Sequence, residues 1–219
     1  MDQAPTTDGV SQGKELQGLL QLFENAGKLG GPVSELWTDA LHLLLDALPT
    51  KRMREERRQR ILRSSVLMAS AASEAFVNYL AGKVVEAEDI RGARLTEFER
   101  DCLRGKRRRL EKGEVREERQ LLSTKERCLL LLRLLKADRD HLQRETGLLE
   151  KSIEVRDKIV HPKPGTSVSV DHEAVVGFFR VAMLLSAAWG GKEFGPASSR
   201  SDYERLLAGL DVSPRTTVH

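Results

Sequence analysis

Between Lys51 and Val85 the chain has no proline and a single late glycine, Gly82. Nothing there breaks a helix, so the stretch permits one continuous helix of about thirty residues. Its two halves differ in character. The first is a charge run, KRMREERRQR; in the second, Leu62, Val66, Ala69, Phe76 and Leu80 share a stripe. The small residues Ala69, Ser70, Ala71, Ala72, Ser73 and Ala75 let another helix approach closely.

The flanking segments supply partners for that helix. Leu16, Leu19, Leu20 and Phe23 fall at helical spacing before the break Gly30-Gly31-Pro32. Ser34 then stands at a cap position, and Leu36, Trp37, Leu41, Leu44, Leu45 and Leu48 stripe a second helix up to Pro49. Thr96 with Glu99, and Ser123 with Glu126, have capping-box spacing. They predict a short helix after Thr96 and a firmer one over about 124–137, through the run CLLLLRLLK. Further helices are expected over about 146–160, ended by Pro162, and about 171–189. After the Gly- and Ser-rich GGKEFGPASSRS comes a short terminal helix near 202–209.

Strand-like alternation is confined to Thr166-Ser167-Val168-Ser169-Val170, and one such segment cannot make a sheet. The expected fold is therefore all-α, and the absence of a fixed internal period speaks against a solenoid. Residues 1–12 read as a disordered lead-in, 13–189 as one helical domain, and 190–219 as linker, short helix and tail. Within the domain, the charge-dominated segment at about 86–122 reads as a mobile insertion or an exposed helical hairpin.

Several function classes are excluded early. No apolar run approaches a membrane span of roughly 18 residues, and the polar, acidic start lacks signal-peptide character, so a cytoplasmic protein without a membrane partner is expected. Cys102 and Cys128 stand apart, as packing thiols do. In GGKEFG, Glu193 follows Lys192 where a Walker A needs Ser or Thr. Asp171-His172-Glu173 offers metal-ligand types, yet successive helical residues point about 100° apart, so they read as first-turn groups and no metal site or cofactor is expected. There is no HExxH or GxSxG, and ten scattered aromatics make no stacking platform. The formal charge of +3 does not by itself demand a polyanion, but 24 Arg stand against 12 Lys, and Arg is the better fork for phosphate. Two stretches are strongly basic: Lys51 to Arg63, and Arg104 to Lys112 with Lys106, Arg107, Arg108 and Arg109. Runs of this kind are solvated faces or phosphate contacts.

The chemistry-bearing segment is Ile153-Glu154-Val155-Arg156-Asp157-Lys158-Ile159-Val160-His161-Pro162. Arg156 lies three residues after Ile153, seven after Leu149 and four before Val160, which puts a guanidinium on the apolar face, where it needs an acceptor. His161 falls at the helix C-terminus, where Pro162 turns the chain and the ring can swing back toward the preceding turn. Asp157, four residues earlier, is placed to hydrogen-bond that ring, fixing its tautomer and raising its pKa. Lys163 follows as a candidate phosphate contact. An Arg followed by His after four to six residues is expected about 1.6 times by chance in this composition, so the weight rests on the longer string with its acid, apolar pair and proline.

That string, RDKIVHP over Arg156 to Pro162, resembles the R-x4-6-H motif of the HEPN superfamily, in which Asn, Asp or His commonly follows the Arg. SSVLMASAASEAFVNYL, residues 64–80, is similar to the "SAxEAxxN" helix of several HEPN families. On it Ser70, Glu74 and Asn78 form a polar stripe, and Glu74 is a natural acceptor for Arg156. The resemblance covers about residues 61–188, interrupted by the charged insertion. It implies a helical bundle and a metal-independent endoribonuclease of bacterial defence or toxin–antitoxin systems, acting as a homodimer with a composite site. Arg156 and His161 would then be catalytic, with Asp157, Glu74 and Asn78 supporting. RNA and a second copy would be the partners, with an inhibitory or activating protein possible. The alternative is a non-catalytic helical module that binds RNA or a protein, in which Arg156 is a salt-bridge partner of Glu74 and His161 a helix cap.

Overall fold

The computed structural model describes residues 17, 34–48, 53–87, 94–111, 114–119, 122–137, 139–165 and 167–190. The expected lead-in over 1–12, most of the helix near 16–23, and the terminal helix near 202–209 lie outside these residues. The described chain is an all-α bundle of six helices: α1 (Ser34–Asp46), α2 (Glu55–Glu86), α3 (Glu97–Arg104), α4 (Thr124–Leu134), α5 (Arg139–Val160) and α6 (Glu173–Trp189). None of them is long and apolar enough to cross a membrane.

The proline-free stretch is the axis of the bundle. Leu62, Val66, Ala69, Phe76 and Leu80 of α2 are all buried, as their common stripe predicts, and α2 packs against α1, α3, α4, α5 and α6. Glu55 and Glu56 in its first turn complement the helix dipole, and the charge run is partly self-neutralised by Glu55–Arg58 and Glu56–Arg60. Ser65 ties α2 to α1 by donating to the Ala40 carbonyl oxygen at 2.8 Å. The second axis is α6, buried at every position from Ala174 to Ser186. Trp37 of α1 meets Phe179 of α6 with ring centroids 4.8 Å apart.

Burial on all sides leaves no solvated face for Arg180 of α6. It forms two hydrogen bonds to Glu145 of α5, Nε to Oε2 at 2.5 Å and Nη2 to Oε1 at 2.8 Å, with side-chain exposures of 2% and 0%. Close by, α5 and α6 approach at Gly177, where an added Cβ would lie 2.8 Å from the Leu148 carbonyl oxygen and overlap Ser152 Oγ. Helix α5 starts at Arg139, seven residues before the expected 146. Thr146 does not cap a helix there; its hydroxyl donates back to the Gln143 carbonyl oxygen at 3.2 Å, within the helix.

Both capping boxes are present in full. Thr96 and Ser123 accept from the backbone N–H groups of Glu99 and Glu126, whose carboxylates accept in return from the cap backbone at 2.9 and 2.8 Å. These bonds hold the Glu99 and Glu126 carboxyls below the usual glutamate range.

The insertion corrects the expectation of a helical hairpin. After α3 it continues as a two-stranded antiparallel ribbon, β1 (Lys106–Glu111) and β2 (Glu114–Arg119). Its register sets Arg107 opposite Glu118, Arg108 opposite Glu117 and Leu110 opposite Val115. Two facing pairs are thus opposite in charge and one is apolar, while Lys106 with Arg119, Arg109 with Arg116 and Glu111 with Glu114 set like charges across the ladder. Conversely, the alternating residues 167–170 form no strand.

Candidate functional site

The last helical bond of α5 runs from the His161 N–H to the Asp157 carbonyl oxygen, 2.8 Å, and Pro162 then has no N–H with which to continue. The chain turns through Gly165, whose φ of 76° is left-handed, and comes back along α2. Two α2 side chains hold the returning segment. Gln59 takes the place of a neighbouring strand: its Nε2 donates to the Val170 carbonyl oxygen at 3.1 Å, and its Oε1 accepts from the Val170 N–H at 2.8 Å. Arg63 Nη1 donates to the Val168 carbonyl oxygen at 3.2 Å. Thus part of the basic run around Lys51–Arg63 serves to anchor a loop.

The loop and the last turns of α5 enclose an open hollow of about 660 Å³. Glu154, Asp157, Lys158 and His161 line one side, and Lys163, Ser167, Val168 and Ser169 the other. His161 is exposed, and among the described residues its ring makes no hydrogen bond to Asp157, contrary to the expected tautomer-fixing contact. Asp157 is turned instead toward Arg156, accepting from Nη1 at 2.6 Å.

Arg156 is half-buried, as its position on the apolar face predicts, with a side-chain exposure of 33%. Its Nε donates to Ser70 Oγ of α2 at 3.3 Å. The expected acceptor was Glu74, one turn further along α2. Glu74 is exposed and pairs with no described residue. A hydroxyl and the neighbouring carboxylate satisfy the guanidinium where the helices cross, leaving the Glu74 carboxylate in water. Asn78, the last residue of the polar stripe, accepts from Arg127 Nη1 of α4. The stripe Ser70, Glu74, Asn78 therefore meets arginines at its two ends.

Arginine, imidazole and two lysines thus gather at the end of α5. In the lining of the hollow Lys158 and Lys163 stand against the Glu154 and Asp157 carboxylates, with His161 beside them, and Arg156, outside that lining, is paired with Asp157. Of the basic candidates of the insertion, Arg104 does not line the hollow. Arg104 is exposed at the end of α3, and Lys106, Arg107, Arg108 and Arg109 lie along β1. Asp171, one of the ligand-type residues near α6, accepts from the Ala174 N–H at 3.0 Å and so closes the first turn of that helix.

Sequence reading missed the Glu145–Arg180 pair, Gln59, Arg63 and Arg127 as partners. One signal was available: Arg180 is the only Lys or Arg in the otherwise apolar helix EAVVGFFRVAMLLSAAW, and such a charge requires a buried acid. Gln59, Arg63 and Arg127 carried none, because their acceptors lie 111, 105 and 49 residues away. Compared with family models, curated proteins and solved structures, the chain matches none.

Proposed function

We propose that this chain is an endoribonuclease of the HEPN type that cleaves RNA without a metal ion, with Arg156 and His161 as its catalytic residues. The observation that carries the reading is Asp157, which accepts from a half-buried Arg156 held by Ser70 and also lines the hollow that His161 shares with Lys158 and Lys163. RNA brings its own nucleophile. The 2′-oxygen attacks the adjacent phosphorus, the bond to the 5′-oxygen breaks, and a 2′,3′-cyclic phosphate and a 5′-hydroxyl result. The 2′-hydroxyl proton is lost to a base and the leaving 5′-oxygen gains one, exchanges for which imidazole is suited. The guanidinium stabilises the extra negative charge on the phosphoryl oxygens in the transition state, and its hold on Ser70 lowers the cost of orienting it. Asp157 is a positioning residue acting through Arg156.

The exposed imidazole leaves room for a second copy of the chain. Leu67 and Val160 are large apolar residues exposed at 39% and 46%, each one helical turn from a site residue, Ser70 and Arg156 respectively. A symmetric dimer covering them brings two Arg156–His161 pairs to one RNA strand. The test is incubation of the purified protein with mixed RNAs in EDTA beside His161→Ala and Arg156→Ala variants. Cleavage that survives EDTA, leaves 2′,3′-cyclic phosphates and falls at least a hundredfold in either variant supports the reading. RNA bound but left intact by the folded, dimeric protein favours the non-catalytic binding module instead.

A further inference from the structure

Arg127 of α4 has a neutral side-chain partner, the Asn78 amide. Among the described residues Arg58, Arg60, Lys83, Lys125 and Arg133 each pair with a glutamate, whereas Arg63 donates to a backbone carbonyl oxygen. Arg127 pairs with no acid among the described residues: Nη1 donates to the neutral Asn78 amide, and Nε is buried without an acceptor. A buried N–H left without a partner costs free energy, and a guanidinium held by an amide keeps its full charge for an anion. The bond to Asn78 uses one of its five donors while fixing its direction.

Its position relative to Arg156 is set by α2. Ser70 orients Arg156 and Asn78 orients Arg127, and eight residues of helix separate the two anchors, about 12 Å along the axis at 1.5 Å per residue. Both anchors lie on the stripe that carries Glu74. Two helices packed on α2, α4 and α5, thus each lend an arginine to one face of it. We propose that Arg127, held by Asn78, is a second phosphate-binding residue, and that a single RNA strand with its scissile phosphate at Arg156 and His161 runs along this face of α2 to reach it. The exposed Glu74 between the two cations accepts from a base amino group there, since a phosphate cannot face it.

This inference rests on the ribonuclease reading, and one experiment separates their failures. The full-length protein is titrated, over a series of salt concentrations, into a fluorescent single-stranded RNA whose 2′-oxygens are methylated so that it cannot be cut. Arg127→Gln weakens binding about fivefold and reduces the slope of log K against log salt by about 0.7, the value for one lost phosphate contact on a single strand. Arg127→Lys, which keeps the charge, recovers most of both. Arg133→Gln, the same charge change on the same helix, alters neither. A loss of affinity in Arg127→Gln with an unchanged slope overturns the proposal, as does an equal loss in Arg133→Gln. Tight binding by the parent and by Arg127→Gln alike overturns the second contact and leaves the ribonuclease reading standing. If the parent binds no RNA, both fall.

Discussion

Replacing Arg180 by methionine removes the guanidinium and leaves the Glu145 carboxylate sealed between α5 and α6, with none of its side chain exposed to water. In solution that charge would be hydrated; in the core it loses two hydrogen bonds, of 2.5 and 2.8 Å, and receives nothing in exchange. Breaking one partner out of such a pair costs about 3–5 kcal/mol. The loss is a large share of the roughly 5–15 kcal/mol by which domains are stable. At about 2–4 °C per kcal/mol for a chain of this size, Tm falls by about 6–20 °C. Glu145→Leu strands the guanidinium instead and should cost a similar amount. The double variant, Glu145→Leu with Arg180→Met, replaces the pair by apolar side chains and should return to within about 1 kcal/mol of the parent, because neither ion then needs desolvating. Urea unfolding followed by circular dichroism measures all four corners of the cycle. Single variants that lose less than 1 kcal/mol, or a double variant that loses the sum of the two, would refute the argument that the pair is sealed and mutually dependent.

Two further outcomes follow from the packing. Gly177→Ala gains up to about 1 kcal/mol of helix propensity but forces a methyl group onto the Leu148 carbonyl oxygen and Ser152 Oγ, so it should lower stability by about 1–2 kcal/mol net; a raised melting temperature would contradict the close approach of α5 and α6. Burial pushes the Cys128 thiol up from 9.0 to about 12, against a smaller opposing pull from Arg127. The unfolded chain therefore loses that proton first, and the stability that the neutral thiol carries, complete below pH 9, declines between about pH 9 and 12 by roughly a kcal/mol per pH unit. Comparison of alkaline unfolding curves for the parent and Cys128→Ala checks it, the variant losing that slope.

The parts of this fold that sequence alone determined are those whose causes lie within a few residues of one another. Both capping boxes join a residue to one three positions later, Pro162 ends α5 through its own missing N–H, and the stripe on α2 follows from the turn of the helix. The ribbon β1–β2 escaped because neither strand, KRRRLE or EVREER, shows apolar alternation, although Gly113 between two six-residue runs was the available turn signal. At the candidate site, sequence singled out Arg156, Asp157 and His161 and put Arg156 on the apolar face of its helix. What it did not determine was where the polar groups find their partners. Ser70 in place of Glu74 for Arg156, Arg127 for Asn78, Gln59 for Val170 and Glu145 for Arg180 are pairings across 35 to 111 residues. They depend on the depth and rotation at which helices cross, and small differences there change which of several polar side chains on one stripe lies within hydrogen-bond reach. Local spacing carries the helices and the identity of the reactive groups; the packing of α2 against α4, α5 and α6 decides what each group touches.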